Sequence, residues 1–121
     1  MVVKKNEMKK QKWHIDELNL QITENKKFIK LFIPLCNVNE KNGATKIIKG
    51  SRENLPKSLD FSKLTGKRFE DDFIESNYNT KDIFNLNSKF GEVFLVRTDG
   101  FHKGGFVKKG FRTIIIVEYN C

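Results

Sequence analysis

Two runs dominate the hydrophobic pattern of the chain. One is Phe28-Ile29-Lys30-Leu31-Phe32-Ile33-Pro34-Leu35-Cys36, and the other is the last stretch, Phe111 to Tyr119. Both are short and rich in β-branched or aromatic residues, so they read as strands. The continuous apolar centre of the last run predicts burial on both faces. Pro34 places the end of the earlier one near an edge or bulge. Residues 11–17 read as a further strand, with Trp13 and Ile15 on one face and His14 and Asp16 on the other. A short strand at the very start is compatible with the pattern. Thr23–Lys27 is turn-like. Asn42-Gly43 is a hairpin signal, and with Ala44–Lys49 it predicts that residues 28–50 form one hairpin. Ile83–Leu86 and Gly91–Arg97 are the next strands, and Thr98–Gly105 reads as a loop.

Residues 51–82 differ in character. They are charged and contain Pro56 and Gly66, and Phe69, Phe73 and Ile74 mark one helical stripe within Arg68–Ser76. The stretch 52–90 therefore reads as a partly helical insertion or flap. Short strands, turn signals and one helical insertion predict an all-β fold, a barrel or double-sheet jelly roll of the cupin-like class. At 121 residues the chain is one domain, 1–121.

Composition alters this picture little. Eleven phenylalanines supply bulk for a core. No run approaches 18 apolar residues, so a helical membrane span is not expected, and the first residues do not read as a signal peptide. Cys36 and Cys121 are too few and too far apart for a disulfide framework, and a cytoplasmic location is the default. The net charge of +8 comes from 19 Lys and only four Arg. Dispersed lysine without interleaved aromatics is a solvated surface more than a nucleic-acid footprint.

The candidate chemistry rests on few residues. The chain has two histidines, and His14 stands two before Asp16, so on a strand an imidazole and a carboxylate share one face. His102 lies between Gly100 and Gly104-Gly105, which let the backbone bend tightly and approach a bound group. Arg112 follows ten residues later and shares the even face of the last strand with Ile114 and Ile116. An arginine on an apolar inward face is costly unless an anion pairs with it, and its planar fork suits a carboxylate.

Taken together, a His-x-Asp on an early strand, a Gly-flanked distal histidine and the arginine beyond it resemble the Fe(II)- and 2-oxoglutarate-dependent oxygenases. Within them the chain looks like the phytanoyl-CoA dioxygenase-like family. Residues 28–51, with Asn42-Gly43-Ala44 and the closing Gly50-Ser51, carry part of the likeness, and Gly91-Glu92-Val93-Phe94-Leu95 carries more. It extends over about residues 11–119. The family usually has Pro-Gly-Ser-His where this chain has Lys49-Gly50-Ser51-Arg52.

The resemblance implies a double-stranded β-helix, here short or N-terminally truncated. It implies His14, Asp16 and His102 as iron ligands and Arg112 as the partner of the distal carboxylate of 2-oxoglutarate. It implies Fe(II), 2-oxoglutarate and O₂ as the reagents, a small organic substrate hydroxylated at a C–H bond, and decarboxylation of 2-oxoglutarate to succinate. Halogenation is disfavoured, because Asp16 fills the position that chemistry leaves vacant. Two other readings stand beside this one. A non-catalytic cupin-like remnant that binds a ligand or partner would suit the short chain, and a nucleic-acid-directed oxygenase would suit the charge. A missing layer would also leave an apolar face able to pair with a second copy.

Overall fold

The computed structural model describes residues 2–4, 11–16, 28–60 and 66–120. Among the described residues, seven strands fall in two antiparallel sheets. The first sheet has the order β1 (Val2–Lys4), β7 (Phe111–Asn120), β2 (Phe28–Pro34), β5 (Phe94–Arg97). The second has the order β4 (Ile83–Asn85), β3 (Lys46–Ile48), β6 (His102–Lys103). An isolated bridge between His14 and His102 lays the segment around His14 along the free side of β6. With that segment counted beside β6, and apart from β3 and β4, which are consecutive and paired with each other, the chain passes from one sheet to the other as it proceeds, which is the wrapping of a jelly roll. The all-β, cupin-like expectation holds.

The predicted 28–50 hairpin does not form. β2 pairs with β5 and β7, whereas β3 pairs with β4 and β6 in the opposite sheet. The segment between them is a crossover. Asn42 lacks the positive φ that the type I′ turn favoured by Asn-Gly needs at both positions, and of the pair only Gly43 adopts it, at 92°. Gly43 is required there for a second reason. A Cβ on it would lie 2.6 Å from the carbonyl oxygen of Gly105.

The core has two parts. Phe32, Val38, Ala44, Val96 and Ile114 are buried together, with Ile47, Phe94 and Ile116 packed against them, and these join the two sheets. Trp13, Ile15, Ile48, Phe69, Ile74 and Phe101 form the other cluster, behind the second sheet. Neighbouring residues of β3, Ile47 and Ile48, enter different clusters, as the pleat requires.

Helix α1 (Asp71–Asn77) supplies Ile74, and the bridge Trp13–Phe69 ties the chain before it to the strand segment at His14. The stretch 52–90 therefore contributes β4 to the sheet and Phe69 and Ile74 to the core. β7 is not buried on both faces. Arg112 and Ile114 are buried, whereas Phe111 and Ile115 are exposed, so only the even positions face inward. No helix among the described residues is long and apolar enough to cross a membrane. The Thr23–Lys27 turn and Cys121 lie outside the described residues.

Candidate metal and co-substrate site

The alternation predicted for Trp13-His14-Ile15-Asp16 is present. Trp13 and Ile15 are 3% and 4% exposed in the rear cluster, and His14 and Asp16 turn to the other side. Backbone pairing fixes the segment: His14 and His102 exchange N–H···O bonds of 3.0 Å in both directions, and Asp16 N–H donates to Thr98 O at 2.9 Å. The second histidine sits on strand β6 rather than in a loop, as the sequence had suggested. Its flanking glycines serve close approach. A Cβ on Gly100 would meet Ser51 Oγ at 2.7 Å, and one on Gly105 would meet Gly43 C at 2.7 Å.

These pairings bring His14, Asp16 and His102 together, with one ligand-type atom from each inside a 4.8 Å span. Asp16 Oδ1 lies 3.7 Å from His14 Nε2 and 3.5 Å from His102 Nε2. That is slightly wider than the roughly 3 Å between neighbouring ligands that each stand about 2 Å from one ion. Both imidazoles are oriented by backbone carbonyls. Nδ1 of His14 donates to Lys12 O at 3.0 Å, and Nδ1 of His102 to Gly100 O at 2.9 Å. A carbonyl can only accept, so each neutral ring carries its proton on Nδ1 and presents a lone pair on Nε2.

The electrostatics favour a neutral His14 and an ionised Asp16. Burial pushes the His14 imidazole below its ordinary value; the bond to Lys12 O opposes this, and neighbouring His102 adds to the depression. Burial alone would raise the Asp16 carboxyl, but hydrogen bonding and charge from His102, then from Lys30, hold it well below the usual carboxylate range.

Lys30 was not legible as a site residue. Its ammonium lies 2.5 Å from Asp16 Oδ2 and 3.2 Å from Glu118. Burial would lower its pKa, yet the two carboxylates together raise it. Asp16 thus gives one oxygen to the lysine and turns the other toward the imidazoles. The available signal was parity, since Lys30 shares the inward face of β2 with Phe32.

Arg112 faces inward as expected. It is 3% exposed, and burial lowers its pKa. Its Nη1 has no hydrogen-bond partner among the described residues. Arg112 lines the same cavity as His14, Asp16 and His102, a space of about 140 Å³ whose other walls include Lys30, Phe32, Thr45, Thr98, Ile114 and Ile116. The cavity therefore holds a three-donor group and a buried cation whose Nη1 has no hydrogen-bond partner among the described residues.

A family model described as phytanoyl-CoA dioxygenase matches residues 1–110. The chain belongs to the phytanoyl-CoA dioxygenase family. That membership supports dioxygenase-type chemistry and implies Fe(II) and 2-oxoglutarate. The match covers both histidines and Asp16 and ends two residues before Arg112. No curated protein sequence matches the chain. The residues present suit the reagents the family implies. Two imidazole nitrogens and a carboxylate are the donor set of a facial ferrous site, and the orphan guanidinium calls for an anion.

Proposed function

We propose that this chain is an Fe(II)- and 2-oxoglutarate-dependent dioxygenase that hydroxylates a small organic substrate. The observation that carries this reading is the convergence of His14, Asp16 and His102 in one cavity with the buried Arg112, whose Nη1 has no hydrogen-bond partner among the described residues. His14 and His102 would hold the metal through Nε2 and Asp16 through Oδ1. Bound iron supplies the redox chemistry that couples O₂ reduction and decarboxylation of 2-oxoglutarate to hydroxylation, with one oxygen atom ending in succinate and the other in the product.

The protein's own part is to bind, orient and exclude water. Three ligands on one side leave the opposite side open to reagents. The carbonyls of Lys12 and Gly100 set the ring tautomers, and Lys30 fixes which carboxylate oxygen is turned to the metal. Arg112 pairs with the distal carboxylate of 2-oxoglutarate and sets its direction. Phe32, Ile114 and Ile116 make the adjacent wall apolar and limit water near the reacting centre.

Anaerobic addition of Fe(II) and then 2-oxoglutarate tests the reading. A visible charge-transfer band of the chelate is expected, and it should be absent from the His14→Ala/Asp16→Ala variant. A folded wild-type protein without the band, or an undiminished band in the variant, would refute it.

A further inference from the structure

Arg112 is not the only buried polar group in the cavity without a partner. Thr98 is 1% exposed, and among the described residues its Oγ1 has no hydrogen-bond partner. Thr98 is one of the residues that line the cavity of the His14, Asp16 and His102 group. Its backbone is already committed, because Thr98 O accepts from Asp16 N–H at 2.9 Å. A buried hydroxyl can rotate freely and finds a partner wherever one is within reach. Retaining one unpaired in a cavity of functional side chains is explained most simply if its partner arrives with the ligand.

Strand register separates the two orphans. On β7, Arg112 stands beyond Ile114, which is opposite Pro34. At the other end of the same face Glu118 is opposite Lys30, which is opposite Val96, two residues before Thr98. Thr98 and Arg112 therefore lie toward opposite ends of the inner face of the first sheet. Asp16 lies at the Thr98 end, held by Thr98 O and the Lys30 ammonium.

A 2-oxo dicarboxylic acid has matching ends. One is the chelating 2-oxo carboxylate, which belongs beside the metal-binding group, and the other is a distal carboxylate. We propose that the Thr98 hydroxyl donates a hydrogen bond to the chelating carboxylate of 2-oxoglutarate while Arg112 takes the distal one, so that a single ligand satisfies both orphaned groups. This rests on the oxygenase reading above and adds to it a second co-substrate-binding residue, at the metal end.

The test separates the two claims. Fe(II)-loaded protein is titrated anaerobically with 2-oxoglutarate, and Kd is read from the chelate band; the melting temperature of the metal-free protein is measured alongside. Thr98→Val, which keeps the shape and removes the hydroxyl, should weaken 2-oxoglutarate about 10-fold or more, the range for a hydrogen bond to a charged group. Its metal-free melting temperature should be unchanged or higher, since no bond is lost. Thr98→Ser should bind close to wild type.

Pyruvate, which has only the chelating end, should keep the Thr98→Val penalty and lose the penalty of Arg112→Met. A wild-type Kd in Thr98→Val, or a penalty that vanishes with pyruvate, overturns the assignment. A wild-type protein that takes up Fe(II) but forms no chelate with 2-oxoglutarate overturns the oxygenase reading itself.

Discussion

Replacing Lys30 by methionine should destabilise the metal-free protein far more than the metal-loaded one. The ammonium is 2.5 Å from Asp16 Oδ2, and the two side chains are 15% and 18% exposed. At an effective dielectric of about 20 the gross attraction is about 7 kcal/mol, most of it offset by the desolvation of both ions. Removing one partner of a buried pair leaves the other uncompensated, at a typical cost of about 3–5 kcal/mol. The low end applies here, because Glu118, the second partner of Lys30, is more than half exposed and is re-solvated easily.

A loss of about 3 kcal/mol corresponds to a fall in melting temperature of roughly 10 °C in a domain of this size. A divalent ion held at the His14, Asp16 and His102 group would supply the positive charge that Asp16 has lost. That ion would no longer share the carboxylate with an ammonium that repels it. Thermal melts with and without Fe(II), under anaerobic conditions, should therefore show a larger metal-induced rise in Lys30→Met than in wild type. Equal destabilisation of both states, or a smaller metal-induced rise in the variant, would refute the reasoning. Lys30 would then act chiefly by orienting Asp16.

Other outcomes follow from the same geometry. Arg112→Met should weaken 2-oxoglutarate about 100-fold by titration while leaving the metal-free fold as stable or more so, because a buried cation without an anion is itself costly. Gly105→Ala should cost about 3 kcal/mol in chemical denaturation, since its Cβ would press on the backbone of Gly43 and Ala44, which cannot swing away. The pH dependence has a definite sign at His14. Its folded value lies below 6.5, so as pH falls from about 7 to 5 the unfolded chain binds a proton that the folded ring resists. Metal-free stability should drop across that window, and His14→Gln should flatten the part of the profile that this residue contributes.

Much of the site was readable because it obeys strand periodicity. His14 and Asp16 share a face because they are two apart on extended backbone, and Arg112 shares one with Ile114 for the same reason. The face assignment of Trp13 and Ile15, the helix that buries Ile74, and the all-β class follow from the same local rule, although Phe69, expected on that helical stripe, precedes the helix and bridges to Trp13. The reading failed where non-local pairing decides. Asn42-Gly43 looks like a hairpin turn, but β2 finds better partners in β5 and β7, and Gly43 serves a crossover against Gly105 instead. His102 looked like a loop residue because its strand is two residues long and exists only through pairing with His14 and Ile47.

Lys30 and Thr98 show the limit most clearly. A lysine in an apolar strand and a threonine after one are ordinary in a linear reading. Sequence by itself determined which side chains point the same way. The tertiary structure decided which of those faces meet, because strand register across two sheets is set by packing distant in the chain. It is that register which puts an ammonium on Asp16 and leaves Thr98 Oγ1 and Arg112 Nη1 without a hydrogen-bond partner among the described residues of one cavity.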